Sequence, residues 1–391
     1  MLGVVGLATG LVVGALLPGS QISSGDASNP ALDPGTPLSQ RAPDFTLTDQ
    51  FGRHVSLHSF RGKVVILAFN DPVCTTICPL TTTAMVDAKA MLGPAASHVQ
   101  LLGVAANPTA TEVKWVRAYS QAHGMMNQWR FLTAPLPELK RVWSAYGIEA
   151  QLVNGQIDHT PALYVIDRRG RLSRLYTTAL VFSGVTQLGQ ELAQSAAALL
   201  PGHPRVHSNL SDALIQPIDP GTAFSLPRVD RGTIHLGPSS QPHLFLFFGT
   251  WTSEVTNLAS QLEALDAYQT AAARDRLPSL IAVDVASVEP STRALSQFLY
   301  RLTHPLSYPV AIDQSGRVAD GYRVLDQPWL ELVSPNGRFL WYYDVSAAGW
   351  PKLSTLVRYV RSALARASTA RSAERGPSQN KRGARRTRST T

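Results

Sequence analysis

The chain repeats itself. Residues 45–69 (FTLTDQFGRHVSLHSFRGKVVILAF) line up with residues 224–248 (FSLPRVDRGTIHLGPSSQPHLFLFF). In each, a short strand, a turn and a second short strand lead into an uninterrupted apolar run. A run without alternation is the pattern of a strand buried on both faces. Residues 64–69 and 243–248 are therefore expected at the centres of two sheets, each followed by a loop that opens a helix, 70–79 and 249–256. Further on, PALYVIDRRG (161–170) matches PWLELVSPNG (328–337), a proline opening a strand and a glycine in the hairpin turn nine positions later. Helices are expected over 110–123, 136–146, 259–274 and 291–303. This order predicts two tandem α/β domains of one design, each a mixed central sheet with helices on both faces.

Length agrees with that count, since 391 residues suit two domains of about 100–200 residues plus appendages. Hydrophobic residues form 44% of the chain, enough for sizeable cores, and two cysteines exclude both a multi-disulfide scaffold and a four-cysteine zinc site. The formal charge of +8 is concentrated at one end. Residues 366–391 hold eight Lys/Arg against the single acid Glu374, so the remainder is nearly neutral. That tail has few apolar residues and no aromatic for base stacking. It is expected to be a disordered, solvated segment, with no nucleic acid as partner.

Residues 1–17 (MLGVVGLATGLVVGALL) carry no charged side chain, the lower end of what a tilted membrane-crossing helix needs. They are expected to be a hydrophobic anchor or signal segment, an uncleaved anchor being preferred. Residues 18–40 follow as a Gly/Ser/Pro/Asp-rich flexible linker. The organisation read from the sequence continues with a first domain over 41–200, a linker over 201–221, a second domain over 222–365 and the tail over 366–391.

The chemistry is concentrated at Cys74-Thr-Thr-Ile-Cys78-Pro79, directly after the first buried run. A spacing of four would set both sulfurs on one face of a helix's first turn, where free amides and the helix dipole lower thiol pKa. Two converging thiolates suit a soft ion such as Cu(I) and can also close into a disulfide. A third ligand is wanted, and the candidate is His159, just ahead of the proline-opened strand 161–170, with Asp158 able to orient the ring. His54 and His58 read as solvent-facing, Met125 and Met126 as core, and Trp129, Trp143 and Trp341 as packing residues.

Cys-x-x-x-Cys-Pro after an apolar strand, then Asp-His-Thr and Leu-Tyr-Val-Ile-Asp-x-x-Gly some eighty residues later, resembles the Sco (SenC) family over roughly residues 41–200. The resemblance implies a membrane-tethered, thioredoxin-like protein that binds copper, as Cu(I) or Cu(II), through Cys74, Cys78 and His159. It also implies a role in assembling the copper centre in subunit II of cytochrome c oxidase. Departures fall at Thr75 and Thr76, where Pro-Asp is common, at the lead-in Asn70-Asp71-Pro72-Val73, and at Asn107-Pro108 in place of Asp-Pro. The second domain resembles thioredoxin-like redox domains, with Thr252 and Val255 where the cysteines would be and Gln327-Pro328 at the cis-proline position. It reads as a structural partner, with peptide docking as the alternative, which an exposed Trp251 would support.

Three functions stay open. A metallochaperone at the cell membrane, with one N-terminal anchor and extracytoplasmic domains, is preferred. The same dithiol, Cys74 attacking and Cys78 resolving, would serve a thiol-disulfide oxidoreductase that reduces acceptor cysteines. An interaction protein acting through the second domain is the third.

Overall fold

The computed structural model describes residues 32–153, 156–208, 215–238 and 241–374. The expected anchor, most of its linker, residues 209–214 and residues 375–391 of the basic tail lie outside the described residues; residues 366–374, expected to be disordered with the rest of the tail, instead form the last turns of the helix Leu353–Glu374. Among the described residues, no helix is long and apolar enough to cross a membrane.

Each apolar run is a central strand. Val64–Asn70 is buried along its whole length and pairs in parallel with Val99–Ala105 and antiparallel with Ala162–Ile166. Beyond these, Trp129–Thr133 continues one side and Leu172–Thr177 the other, within an eight-stranded mixed sheet. His243–Phe248 has the same neighbours in kind, Ser279–Asp284 in parallel and Trp329–Val333 antiparallel, in a five-stranded sheet edged by Val310–Ile312 and Phe339–Asp344. The repeat seen in the sequence is thus a repeat of strand order.

The strand–turn–strand pieces differ. In the first unit Thr46–Asp49 and His54–Ser56 join the main sheet, through Thr48 opposite Thr133. In the second, Phe224–Pro227 and Thr233–Leu236 form a separate two-stranded sheet.

Helices Ile77–Met91 and Val185–Leu199 pack on one another and on the central strand of the first sheet. Their approach is close because position 189 is glycine; a Cβ there would stand 2.8 Å from Cβ of Asp87 and 3.1 Å from the Ala84 carbonyl oxygen. Of the expected helices, 136–146 forms over Leu136–Tyr146, and 110–123 and 291–303 shorten to Val113–Ala122 and Ala294–Tyr300. The segment 259–274 is two helices, Leu258–Ala264 and Asp266–Asp275.

Burial on both faces makes the second central strand alternate between two cores. Leu244, Leu246 and Phe248 enter a core belonging to the second unit alone. Phe245 and Phe247 enter a core that runs on, through Ile218 and Val318, to Phe182 and the interior of the first unit. The two sheets therefore share a continuous apolar interior.

Candidate metal and thiol site

The site is built at the C-terminal end of the first central strand. Asp71 sets its loop: its carboxylate accepts from Val73 N–H at 3.0 Å and from Asn107 Nδ2 at 2.7 Å. Its carbonyl accepts from Cys74 N–H at 3.2 Å, and its own N–H donates to Cys78 Sγ at 3.3 Å. Such an Asx turn holds Cys74 in the loop, and the helix begins only at Ile77. The expected placement of both sulfurs in one helical turn is therefore corrected. Thr76, at φ −106° and ψ −91°, is not helical, and only Cys78 lies in the first turn.

The two thiols differ accordingly. Cys78 N–H donates to Cys74 Sγ at 3.5 Å. Hydrogen bonding from Cys78 is the leading cause that draws the Cys74 thiol below its usual range, against burial. Burial, together with the neighbouring Cys74, pushes Cys78 well above it. The expected lowering of both thiol pKa values is found at Cys74 alone; Cys78 is shifted the other way. Both cysteines are free; Cys78 is buried and Cys74 half-buried.

His159 closes the other side. It ends the strand Gln156–His159, paired with Ala150–Val153 in a hairpin, and its Nε2 lies 3.5 Å from Cys78 Sγ. Its Nδ1 is 3.2 Å from the Thr160 carbonyl oxygen. That oxygen can only accept, so Nδ1 carries the proton and the Nε2 lone pair faces Cys78. Burial holds the ring below its usual pKa, hence neutral. Asp158 is exposed, and the ring's orienting partner is the backbone of Thr160. Among the described residues, no group of three or more His, Cys, Asp and Glu already stands in an arrangement that could hold a metal ion.

Behind the cysteines, Thr82 Oγ1 donates to the Cys78 carbonyl at 2.8 Å and accepts from Asn70 Nδ2 at 3.2 Å. The buried Tyr119 hydroxyl lies 2.8 Å from the same oxygen. Thr82 and Tyr119 escaped the sequence reading, and Asp71 and Asn107 entered it only as departures from the family pattern, not as parts of the site. Asp71-Pro72 and Asn107-Pro108-Thr109 did carry turn signals for the latter two.

His54 and His58 are exposed, and Met125, Trp129 and Trp143 are core. Gln327–Pro328 is cis. Trp251 is 4% exposed, which removes the ground for reading it as a free docking residue; its ring lies 4.8 Å from that of His123 in the first unit. Thr252 is fully buried, its hydroxyl donating to the Gly249 carbonyl. The side chain of Val255 lies outside the described residues.

Residues 34–187 match the SCO1/SenC family. A curated relative, the SCO1 protein homolog of Bacillus subtilis, is 30% identical over 98 residues, 25% of this chain and 51% of that protein. The chain thus spans about half the length of the curated relative it matches. Among solved structures, copper-bound ScoI of Bradyrhizobium japonicum is 22% identical, covering 41% of this chain and 99% of that one, with a TM-score of 0.36. Apo Sco1 of Thermus thermophilus is 25% identical, covering 43% and 96%, with a TM-score of 0.37.

Proposed function

We propose, from the match of residues 34–187 to the SCO1/SenC family, that the protein is a copper chaperone. Its cargo is held by Cys74, Cys78 and His159 and passed on for assembly of the copper centre of cytochrome c oxidase, subunit II being the acceptor. The observation that carries this reading is the approach of His159 Nε2 to Cys78 Sγ, 3.5 Å, beside a loop that brings Cys74 to the same place. The ring is neutral with its lone pair turned to the sulfur, as a ligand's must be. Two sulfurs and one imidazole are a donor set for copper in either charge state. Cys74 precedes the helix on a half-buried loop, so it can adjust toward the metal without disturbing the core.

The chain is read as two thioredoxin-like domains over 41–200 and 222–365, the second without thiols. Residues 1–17 are read as a membrane anchor that holds both domains on the extracytoplasmic side. Tethering would confine donor and acceptor to one surface and raise their effective concentration.

Asymmetry between the thiols favours a second use of the same site. Cys74 thiolate would attack an acceptor disulfide, forming a mixed disulfide and releasing one acceptor thiolate. Cys78 would then displace the second, leaving the acceptor reduced by two electrons and Cys74–Cys78 oxidised.

The test is a copper titration of the reduced full chain beside His159→Ala. Loss of affinity by at least about tenfold, with an altered spectrum, is expected. Unchanged stoichiometry, affinity and spectrum would remove the site. Reduction of a peptide disulfide by the same variant at wild-type rate would separate the thiol chemistry from the copper chemistry.

A further inference from the structure

The second unit has no thiols, yet it is seated beside the dithiol loop of the first. Thr75, between the two cysteines, has its hydroxyl 2.9 Å from that of Ser346, in the short helix Val345–Ala348 of the second unit. The buried carboxylate of Asp326, next to the cis Gln327–Pro328 bond, stands beside this hydroxyl pair. A proline at position 75 would have no hydroxyl to offer. On the same flank, Trp251 lies against His123, and Gly124 faces Pro290, where a Cβ would come within 3.2 Å. A third contact clamps the units together. The Asp320 carboxylate accepts from Phe182 N–H and Ser183 N–H, each at 2.8 Å, and from Ser183 Oγ at 2.6 Å.

These contacts do not seal the cysteine, since Cys74 stays half-buried. A small ligand can therefore reach Cys74 while a protein-sized surface meets Ser346 and its helix first.

We propose that the second unit is the resident partner of the dithiol face. It leaves Cys74 open to small donors, such as a cuprous ion carried by a low-molecular-weight thiol, and closes it to a protein acceptor until the two units part. The size filter rests on geometry alone; that the filtered traffic is copper rests on the function proposed above.

The test uses the reduced, metal-free full chain, so its failure is independent of any failure in copper binding. Alkylation of Cys74 is followed by peptide mass spectrometry with iodoacetamide and with a maleimide bearing a long polyethylene glycol chain. Each rate is referred to that of an unstructured cysteine peptide. The wild type should disfavour the large reagent over the small one by about tenfold. Asp320→Ala, outside the thiol loop, should restore the large reagent about fivefold or more and leave iodoacetamide within about twofold. If Asp320→Ala does not fold, Ser346→Ala is read the same way. Equal disfavour of both reagents in the wild type, or a folded variant with an unchanged ratio, overturns the proposal.

Discussion

Asp71 and Asn107 form one hydrogen-bonded pair, carboxylate to amide at 2.7 Å, that ties the cysteine loop to the end of the neighbouring strand Val99–Ala105. Each lies where the sequence departs from the Sco pattern, and the two departures meet in space. With Asp at 71, the Asp-Pro common in the family at 107 would set carboxylate against carboxylate where burial already pushes Asp71 above its usual range. The other end of the Asn107 amide is engaged as well: its oxygen accepts from Thr109 N–H, Thr109 Oγ1 and Ala110 N–H.

Asn107→Asp is therefore expected to destabilise the chain by about 1–3 kcal/mol at neutral pH. The deficit should shrink on acidification, as one carboxyl takes up the proton the pair then shares. Urea unfolding across pH checks both parts. A variant as stable as wild type at neutral pH would show that the pair carries no weight.

Thr82 offers a second test behind the thiols. Thr82→Val keeps the shape but leaves the Tyr119 hydroxyl and the Asn70 amide buried without their partner. A loss of about 2–4 kcal/mol is expected. Tyr119→Phe added to it should restore part of that loss, because the orphaned hydroxyl is gone. Strictly additive losses in the double variant would count against the coupling.

Much of this was legible in the sequence. Val64–Asn70 and His243–Phe248 declared themselves by unbroken apolarity, and the prolines at 161 and 328 marked the antiparallel strands beside them. What escaped depends on contacts that no local pattern encodes. The start of the helix at Ile77 is set by the Asx turn at Asp71, which outweighs the helical reading of the cysteine spacing. The ring of His159 is oriented by a backbone carbonyl, which every residue owns, whereas the sequence drew attention to the carboxylate of Asp158. Trp251 is buried by a histidine of the other unit, and Thr75 meets Ser346 across most of the chain. Periodicity carries no trace of such pairings.

Glu331 makes the stability of the second unit depend on pH. It stands in the strand Trp329–Val333, 1% exposed, with Oε2 accepting from Trp329 Nε1 at 3.1 Å and Oε1 unpartnered. Burial raises its pKa from 4.5 to about 8. An acid whose folded pKa is raised holds its proton more tightly when folded. Its contribution is thus complete below the unfolded value and is lost as pH rises through about 8. Glu331→Gln should remove this slope, gaining on wild type by more than about 1 kcal/mol between about pH 5 and pH 9. Parallel stability curves for the two proteins would refute the burial argument.

His123 has the opposite sign. Burial lowers its pKa from 6.5 to about 3, and its ring lies between Tyr119, at 4.2 Å, and Trp251 of the second unit, at 4.8 Å. A base whose folded pKa is depressed contributes fully above the unfolded value and loses that contribution as pH falls toward the folded one. The window is the acid side, from 6.5 down to about 3. His123→Phe keeps an aromatic ring in the contact and has no proton to take up. It should match wild type within about 1 kcal/mol at neutral pH and become the more stable protein as pH falls. Because the ring bridges the units, acid should also part them in the wild type before it unfolds either one. Cys74 would then become open to the large maleimide near pH 5 (about one and a half units below the unfolded histidine value) in the wild type and stay shielded in His123→Phe. Equal acid sensitivity of the two proteins would mean that His123 does not govern the contact.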